Sequence, residues 1–248
     1  MKLLYTIFFS FVVALSAIAQ TKAEADNLYK EERYQAAAAA YEQLLKNDEV
    51  TAELYYNLGN AYYKMDNIPL AVLNYERASL LSPGDGDIRA NLALARSKTI
   101  DKVTPSSEMF FVIWWHDLCN IMSCHAWSIL AILSFALMLI GVLVYFFASN
   151  ITLRKVGVYG AMGLLVVVVI SNLSAYTQNR SFLNRNTAIV LAPAVSVKSS
   201  PNDSSTDLFL IHEGSKVEIL DASMDKWREV KFEEGKQGWV PVSAIEVI

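Results

Sequence analysis

The feature that most constrains the fold of this chain is a residue pattern that recurs after 34 positions. The same or a related residue occupies both positions in the pairs Ala25/Gly59, Leu28/Tyr62, Ala37/Ala71, Tyr41/Tyr75 and Leu44/Ala78. A period of about 34 residues is typical of stacked helix pairs, which bury a shared core and present a concave face to another protein. The pattern therefore predicts a helical solenoid in the N-terminal part of the chain.

The second copy has the fuller motif, with Tyr55, Leu58-Gly59, Tyr62, Ala71, Tyr75, Ala78 and Pro83. This set resembles the tetratricopeptide (TPR) repeat. The resemblance implies an all-α TPR solenoid over residues 20–100, with two repeats and a capping helix at Asp87–Ser97. The capping box Thr21-x-x-Glu24 is expected to begin the first helix. At least three repeats are usually needed for stability, so we expect the membrane, the C-terminal domain, a second copy or a partner to complete the packing.

In TPR proteins the first helix of each repeat lines the groove that binds a partner. Applied to this sequence, that rule selects polar and aromatic side chains one turn apart. The predicted groove residues are Asp26, Tyr29, Lys30, Tyr56, Asn60, Tyr63 and Lys64. They suit an extended peptide or a helix, and the alternative is that the tyrosines only cover the outside of the solenoid.

Three apolar runs raise the apolar fraction to 54%, above the roughly 45–50% of soluble domains. The first run, with Lys2 before it and Ala17-Ile18-Ala19 at its end, predicts a secretory signal peptide at residues 1–19. An uncleaved anchor is the alternative. The net charge of −4 comes from mixed signs along the chain, so a nucleic-acid partner is not expected.

The other two runs, 127–149 and 156–176, are uncharged and long enough to cross a bilayer. Arg154 and Lys155 between them predict a cytoplasmic loop by the positive-inside rule. Together with the signal peptide, they predict an inner-membrane protein with both soluble domains in the periplasm. The preceding segment, 101–126, is predicted to be a linker and an aromatic helix at the membrane interface, because Trp favours that boundary. Packing against a membrane helix is the alternative.

Short alternating strands are predicted from residue 187 to residue 248, in a small all-β barrel. The candidate strands are Ile189–Leu191, Val195–Val197, Lys216–Leu220, Trp227–Phe232, Gly238–Val242 and Ile245–Ile248. The His212-Glu213-Gly214 turn and the Gly238-Trp239-Val240 ending resemble those of bacterial SH3 domains. The resemblance implies binding of cell-wall peptides or docking of proteins. The candidate contacts are Phe209, Trp227 and Trp239, with the tryptophans alternatively packed in the core or at its rim.

No catalytic set is found. His116, Asp117, Cys119, Cys124 and His125 match no zinc spacing, and no role is predicted for the cysteines. The chain is therefore expected to be no enzyme, with no cofactor and no metal.

The order of signal peptide, TPR repeats, aromatic segment, two spans and SH3-like domain resembles the BatE-type proteins of the aerotolerance (Bat) operon. The motifs that support this are Leu58-Gly59 to Pro83, Trp114-Trp115, and the two C-terminal motifs. The resemblance implies a multidomain membrane protein that assembles with other Bat membrane proteins, some with von Willebrand factor A domains, and a link to oxidative-stress tolerance. The expected function is a scaffold, and the alternative is a peptidoglycan-binding or sensing protein.

Overall fold

The structure, a computed structural model, describes residues 22–47, 49–102, 109–183, 186–233 and 236–248. The predicted signal peptide and Thr21 of the capping box lie outside these residues, as does part of the predicted linker. The described chain forms two compact units. One contains the N-terminal helices together with the C-terminal strands, and the other contains the apolar helices.

The N-terminal helices, which we call the repeat module, are α1 (22–30), α2 (Tyr34–Lys46), α3 (Ala52–Lys64), α4 (Ile68–Leu81) and α5 (Gly86–Lys98). Each of the two helix pairs turns through a residue with positive φ, Glu32 at 61° and Asp66 at 57°. These two residues are 34 positions apart, so the backbone geometry repeats with the sequence. Side-chain caps begin α3 and α5, where Thr51 Oγ1 accepts from Leu54 N and Asp85 accepts from two backbone N–H groups.

Small residues let the paired helices pack closely. Ala25, Ala37 and Ala61 are fully buried in the core of the first repeat. In the second repeat, Gly59 lies against the ring of Tyr75, where an added Cβ would approach Cδ1 to 2.7 Å. Glycine is therefore the residue that this helix crossing accommodates.

The second unit contains α6 (Phe110–Cys119), α7 (Cys124–Phe147) and α8 (Ile151–Leu183). Helices α7 and α8 are long and apolar enough to cross a membrane, and they form a hairpin. Only 11% and 17% of their most apolar windows are buried, so most of this apolar surface faces outward. The two helices approach closely at Gly141 and Gly157, since a Cβ on Gly157 would lie 2.7 Å from Gly141 O.

The helix boundaries differ from the predicted spans. The loop between α7 and α8 is only Ala148–Asn150, and Arg154 and Lys155 belong to α8. The aromatic segment also breaks after Cys119, because Ser123 Oγ accepts from Ala126 N and begins a new helix. Trp127 therefore belongs to α7, where its Nε1 donates to the Cys119 carbonyl at 2.8 Å.

The C-terminal residues 186–248, which we call the β domain, form a seven-stranded antiparallel sheet of order β3-β2-β6-β5-β4-β1-β7. Its buried residues come from six strands and the short 3₁₀ helix Val242–Ala244, so the sheet curls around a single core. The strands are β1 (Thr187–Val190), β2 (Ala194–Lys198), β3 (Asp207–His212), β4 (Lys216–Asp221), β5 (Trp227–Glu233), β6 (Lys236–Pro241) and β7 (Ile245–Val247).

Strand β3 was not among the predicted strands. Its sequence does not alternate in polarity, because apolar Leu208 and Leu210 lie on its outer side and Phe209 and Ile211 on its inner side. Phe209 is paired with the fully buried Val197 and packs against the core. Phe209 is therefore partly buried, and its role as a contact residue stays a prediction.

The β domain packs directly on the repeat module. Strand β1 is buried on both faces: Ala188 and Val190 lie in the sheet's own core, and Ile189 lies against the helices. Ile248 shares that second core with Tyr75 of α4 and with α5. Thus the β domain covers the end of the solenoid, which is the completion of packing that two repeats need.

A buried ionic contact crosses this interface. The Glu76 side chain is only 6% exposed, and its Oε2 accepts from Lys216 Nζ at 2.9 Å. Its Oε1 accepts from Arg96 of α5. Burial alone would raise the pKa of Glu76, but the charges of Lys216 and Arg96 outweigh it and lower the pKa below its ordinary value.

A second carboxylate, Asp101, binds the His-Glu-Gly turn. Its Oδ2 accepts from the His212 N–H and from Ser215 Oγ, both at 2.7 Å, while Oδ1 lies 3.0 Å from His212 Nδ1. Gly214 has φ of +79°, and a Cβ there would approach Thr99 Cγ2 to 2.6 Å. The turn that suggested a bacterial SH3 domain is here a contact point with the repeat module.

Packing between the two domains bears on membrane topology. The repeat module precedes the α7–α8 hairpin in the chain and the β domain follows it. If both α7 and α8 cross a membrane, the chain returns to the side from which it started, and this agrees with the contacts between the two domains.

Candidate functional site

The inner surface of the repeat module has polar contacts that recur with the 34-residue period. In the first repeat, Asp26 Oδ1 accepts from Tyr41 Oη at 2.6 Å and from Asn57 Nδ2 at 3.3 Å. One period later, Asn60 Oδ1 accepts from Tyr75 Oη at 2.7 Å and from Asn91 Nδ2 at 3.0 Å. Helix α5 therefore occupies the place of the first helix of a third repeat.

A further pair of contacts on the opposite side of the helices follows the same rule. Tyr62 donates to Glu42, and 34 positions later Arg96 donates to Glu76. In the second repeat the carboxylate at this position has an additional partner, because Glu76 also accepts a hydrogen bond from Lys216 of the β domain. The repeated framework thus provides both the groove on one side and the docking contact on the other.

Both buried tyrosines act as hydrogen-bond donors. Burial raises the pKa of Tyr41, with a further contribution from its bond to Asp26, and burial likewise raises the pKa of Tyr75. Both hydroxyls therefore stay protonated across the physiological range. They orient the side chains of Asp26 and Asn60 at the floor of the groove.

Two adjoining hollows, which together we call the groove, lie over these contacts. The first has a volume of about 200 Å³ and the second of about 290 Å³, and both are lined by Tyr29 and Asn60. The first is also lined by Asp26, Lys30, Tyr41 and Asn57. The second is also lined by Tyr56, Tyr63, Lys64, Tyr75, Asn91 and Leu94.

All seven residues predicted for the groove line these two hollows, although no binding measurement assigns them a role. The prediction omitted Asn57 and Asn91, and the floor tyrosines Tyr41 and Tyr75. The missing signal was the 34-residue offset applied to polar residues as well as apolar ones, since Asn57 and Asn91 are one period apart. The aromatic walls and the amide floor could contact a peptide through both its side chains and its backbone.

The charges of the groove are unevenly balanced. Asp26 is neutralised, because its Oδ2 lies 3.2 Å from Lys22 Nζ while Oδ1 accepts two neutral hydrogen bonds. Lys30 and Lys64 are exposed, and among the described residues no carboxylate forms an ion pair with either of them. The open side of the groove is therefore positively charged.

On the β domain, the predicted contact residues are divided between the two faces of the sheet. Trp239 lies between the inward Gly238 and Val240 and so faces outward, directly opposite Glu229. Trp227 has the same outward register and is partly exposed. The sheet therefore brings the two tryptophans together on its outer face and separates them from Phe209.

The histidines and cysteines of α6 and α7 do not form a recognisable metal centre. Cys119 and Cys124 are both free thiols, one ending α6 and the other beginning α7. Within the described ranges, no group of three or more His, Cys, Asp or Glu side chains is arranged to hold a metal ion.

Comparison with known families supports the assignment of the helical repeats. Residues 25–66 match the TPR repeat family model. The match covers most of α1, all of α2 and all of α3. It therefore includes all seven predicted groove residues. No curated protein matches the chain. TPR repeats indicate interaction with other proteins, so the groove is the candidate site for a partner.

Proposed function

We propose that this chain is a non-enzymatic membrane scaffold whose groove binds a segment of a partner protein. The observation that supports this most is the repeated floor of the groove, in which Asp26 and Asn60 are oriented by equivalent tyrosines. The same geometry occurs twice in this surface, which is lined by half-buried aromatic side chains and exposed lysines. Such a surface suits recognition of an extended segment.

The β domain would be the second module of the scaffold, with the SH3-like fold that its motifs suggest. Docked on the repeat module, it keeps a fixed geometry relative to the groove, so ligands of the two modules would be brought close together. We place both modules in the periplasm, anchored by α7 and α8 in the inner membrane, from the predicted signal peptide and the basic residues near the hairpin turn.

The order of domains supports a BatE-type role, in which the partners are other Bat membrane proteins, including those with von Willebrand factor A domains. The function would then contribute to aerotolerance. This proposal rests on the sequence resemblance and on the TPR match.

Crosslinking in living cells, followed by purification in mild detergent, tests the scaffold. We expect other integral membrane proteins to be recovered in a defined ratio with the native chain. The double variant Tyr56→Ala, Tyr63→Ala should lose them, because it removes one wall of the groove. Tyr55→Ala is the control, because Tyr55 does not line the groove. Its ring centre instead lies 5.8 Å from Arg77 Cζ. Equal recovery from all three proteins would contradict the proposal.

A second candidate function is binding of peptidoglycan by the β domain, which the outward-facing Trp227 and Trp239 favour. Aromatic rings on an exposed sheet can stack on sugar or peptide groups. We expect the full-length protein in detergent to sediment with purified sacculi if this is correct, and Trp227→Ala with Trp239→Ala to abolish it. Sedimentation that is unchanged in the variant, or absent in the native protein, would exclude this candidate.

A further inference from the structure

Lysines occupy three equivalent positions in the repeat module, and two of them line the groove. Lys30, Lys64 and Lys98 are each 34 residues apart and end the first helices of successive repeats, α1, α3 and α5. Because the floor contacts show that these helices stack with one geometry, the three lysines recur along one side of the solenoid. They form a basic row that the TPR match itself does not require.

The third lysine shows what this position binds. Lys98 Nζ lies 3.3 Å from Asp66 Oδ1 and 4.4 Å from the centre of the Tyr63 ring. A carboxylate and an aromatic face therefore surround the ammonium group. By the 34-residue offset, the residues that correspond to Tyr63 and Asp66 at Lys64 are Tyr29 and Glu32. The structure nevertheless describes no carboxylate in an ion pair with Lys64 or with Lys30.

The floor of the groove also favours a ligand that accepts a hydrogen bond. Asp26 and Asn60 are equivalent, yet the first is a neutralised carboxylate and the second an amide. Asn60 Oδ1 is occupied by Tyr75 and Asn91, and no described residue accepts a hydrogen bond from Asn60 Nδ2. An amide donor at the junction of the two hollows suits a peptide carbonyl or a carboxylate.

Resting on the proposed function of the groove, we propose that its partner is an acidic segment in extended conformation, with carboxylates about three residues apart. Packed helices lie about 8–10 Å apart. An extended segment in the polyproline II conformation has three residues per turn and rises about 3.1 Å per residue, so every third side chain lies on one face. Every third side chain would therefore meet the next lysine. Lys30 and Lys64 bind carboxylates, and Asn60 Nδ2 donates to the segment between them.

Fluorescence anisotropy with defined probes tests this on the full-length protein in neutral detergent. The first labelled peptide has Glu at every third position in a Gly/Ser background, and the second has Gln at those positions. We expect the Glu peptide to bind, and the Gln peptide to bind at least about tenfold more weakly. Raising the salt concentration should weaken only the Glu peptide, since salt screens exposed charges.

The double variant Lys30→Gln, Lys64→Gln should reduce affinity for the Glu peptide by about tenfold. Both side chains are exposed, so the fold should be unaffected, which an unchanged thermal unfolding curve would verify. Lys46→Gln is the matched control, because Lys46 is an exposed lysine at the end of α2 and does not line the groove. An equal loss in the control, equal binding of the two peptides, or no binding at millimolar peptide would overturn the inference.

Partner recovery from cells separates this inference from the scaffold proposal. One outcome is that the tyrosine double variant, Tyr56→Ala with Tyr63→Ala, loses the partner while the lysine double variant, Lys30→Gln with Lys64→Gln, keeps it. The groove then binds the partner, and the inference that the bound segment is acidic is wrong. If both double variants keep the partner, the groove function itself is wrong. If both lose it, the two proposals are supported together.

Discussion

Gly59 lies where the helices of the second repeat are closest, against a tyrosine ring that cannot move away easily. The Tyr75 ring is fully buried and its hydroxyl donates to Asn60. We expect Gly59→Leu to reduce the free energy of unfolding by about 1–3 kcal/mol, because the side chain would overpack this crossing. Thermal and denaturant unfolding of the full-length protein in detergent would measure the loss.

Gly86→Leu is the matched control for that change. Gly86 is exposed at the start of α5, and a Cβ there would have no neighbour within 4 Å. Its effect should stay within about 0.5 kcal/mol, as for most surface substitutions. Similar losses from both glycines would show that the close approach of Gly59 and Tyr75 is not what limits this site.

Lys216 of the β domain pairs with the carboxylate of Glu76, which is nearly inaccessible to water. Lys216→Met leaves one Glu76 oxygen without that hydrogen bond, and we expect a cost of about 1.5–3 kcal/mol, typical of bonds to charged groups. Lys231→Met is the control, because Lys231 lies 4.0 Å from Glu218 in an exposed pair worth about 0–1 kcal/mol. Urea unfolding of both variants should separate them, and equal midpoints would argue against a structural role for the buried pair.

At the scale of elements, the hairpin α7–α8 depends on a close backbone approach. A Cβ at Gly157 would lie 2.7 Å from the Gly141 carbonyl, whereas one at Gly160 would have no neighbour within 4 Å. We expect Gly157→Val to separate the two helices and Gly160→Val to be tolerated. Resistance of the two variants to unfolding in SDS would test this, and equal resistance would contradict it.

Which elements could be predicted depended on how local their signal was. The helices of the repeats followed from a 34-residue offset, and the hairpin from two uncharged runs. Strand β3 could not be found by alternation, because Leu208 and Leu210 are apolar on the outer side as well. The break after Cys119 was missed because the aromatic run continues through it, while the decisive cap is the single hydroxyl of Ser123.

The groove and the docking interface illustrate the same limit. The groove residues were found because a repeat family dictates which helix lines the concave side. The docking contact was not found from the sequence, because Glu76 and Lys216 are 140 residues apart and each resembles an ordinary surface charge. Long-range pairing of this kind has no periodicity, so only the folded chain reveals it.

At the scale of the whole molecule, docking of the β domain depends on two carboxylates. Burial opposes ionisation of Asp101, but hydrogen bonds from the His212 backbone, the His212 ring and Ser215 outweigh it and lower its pKa below the ordinary value. The pKa of Glu76 is also lowered, because the charges of Lys216 and Arg96 outweigh its burial. A pKa that is lower in the folded state than in the unfolded state means that this stability is complete above the unfolded pKa and is lost as pH falls through the folded pKa.

We therefore expect the free energy of unfolding to decrease as pH falls below about 4, with the interface opening first. Amide hydrogen exchange of β1 and of the 212–215 turn would report the opening. Asp101→Asn should make this acid dependence shallower, because one titrating group is removed. Asp225→Asn, at an exposed position of the β domain, is the control, and equal acid dependence in the two variants would contradict the argument.

The long separation between the docking partners has a consequence in time. Lys216 follows Glu76 by 140 residues, and synthesis at about 5–20 residues per second takes about 7–28 s to cover that distance. Throughout this interval the face of α4 that will meet the β domain remains uncovered. The nascent repeats are therefore most vulnerable to proteases and to pairing with other chains while the hairpin and the β domain are being synthesised. Faster synthesis of this middle segment would shorten the exposure.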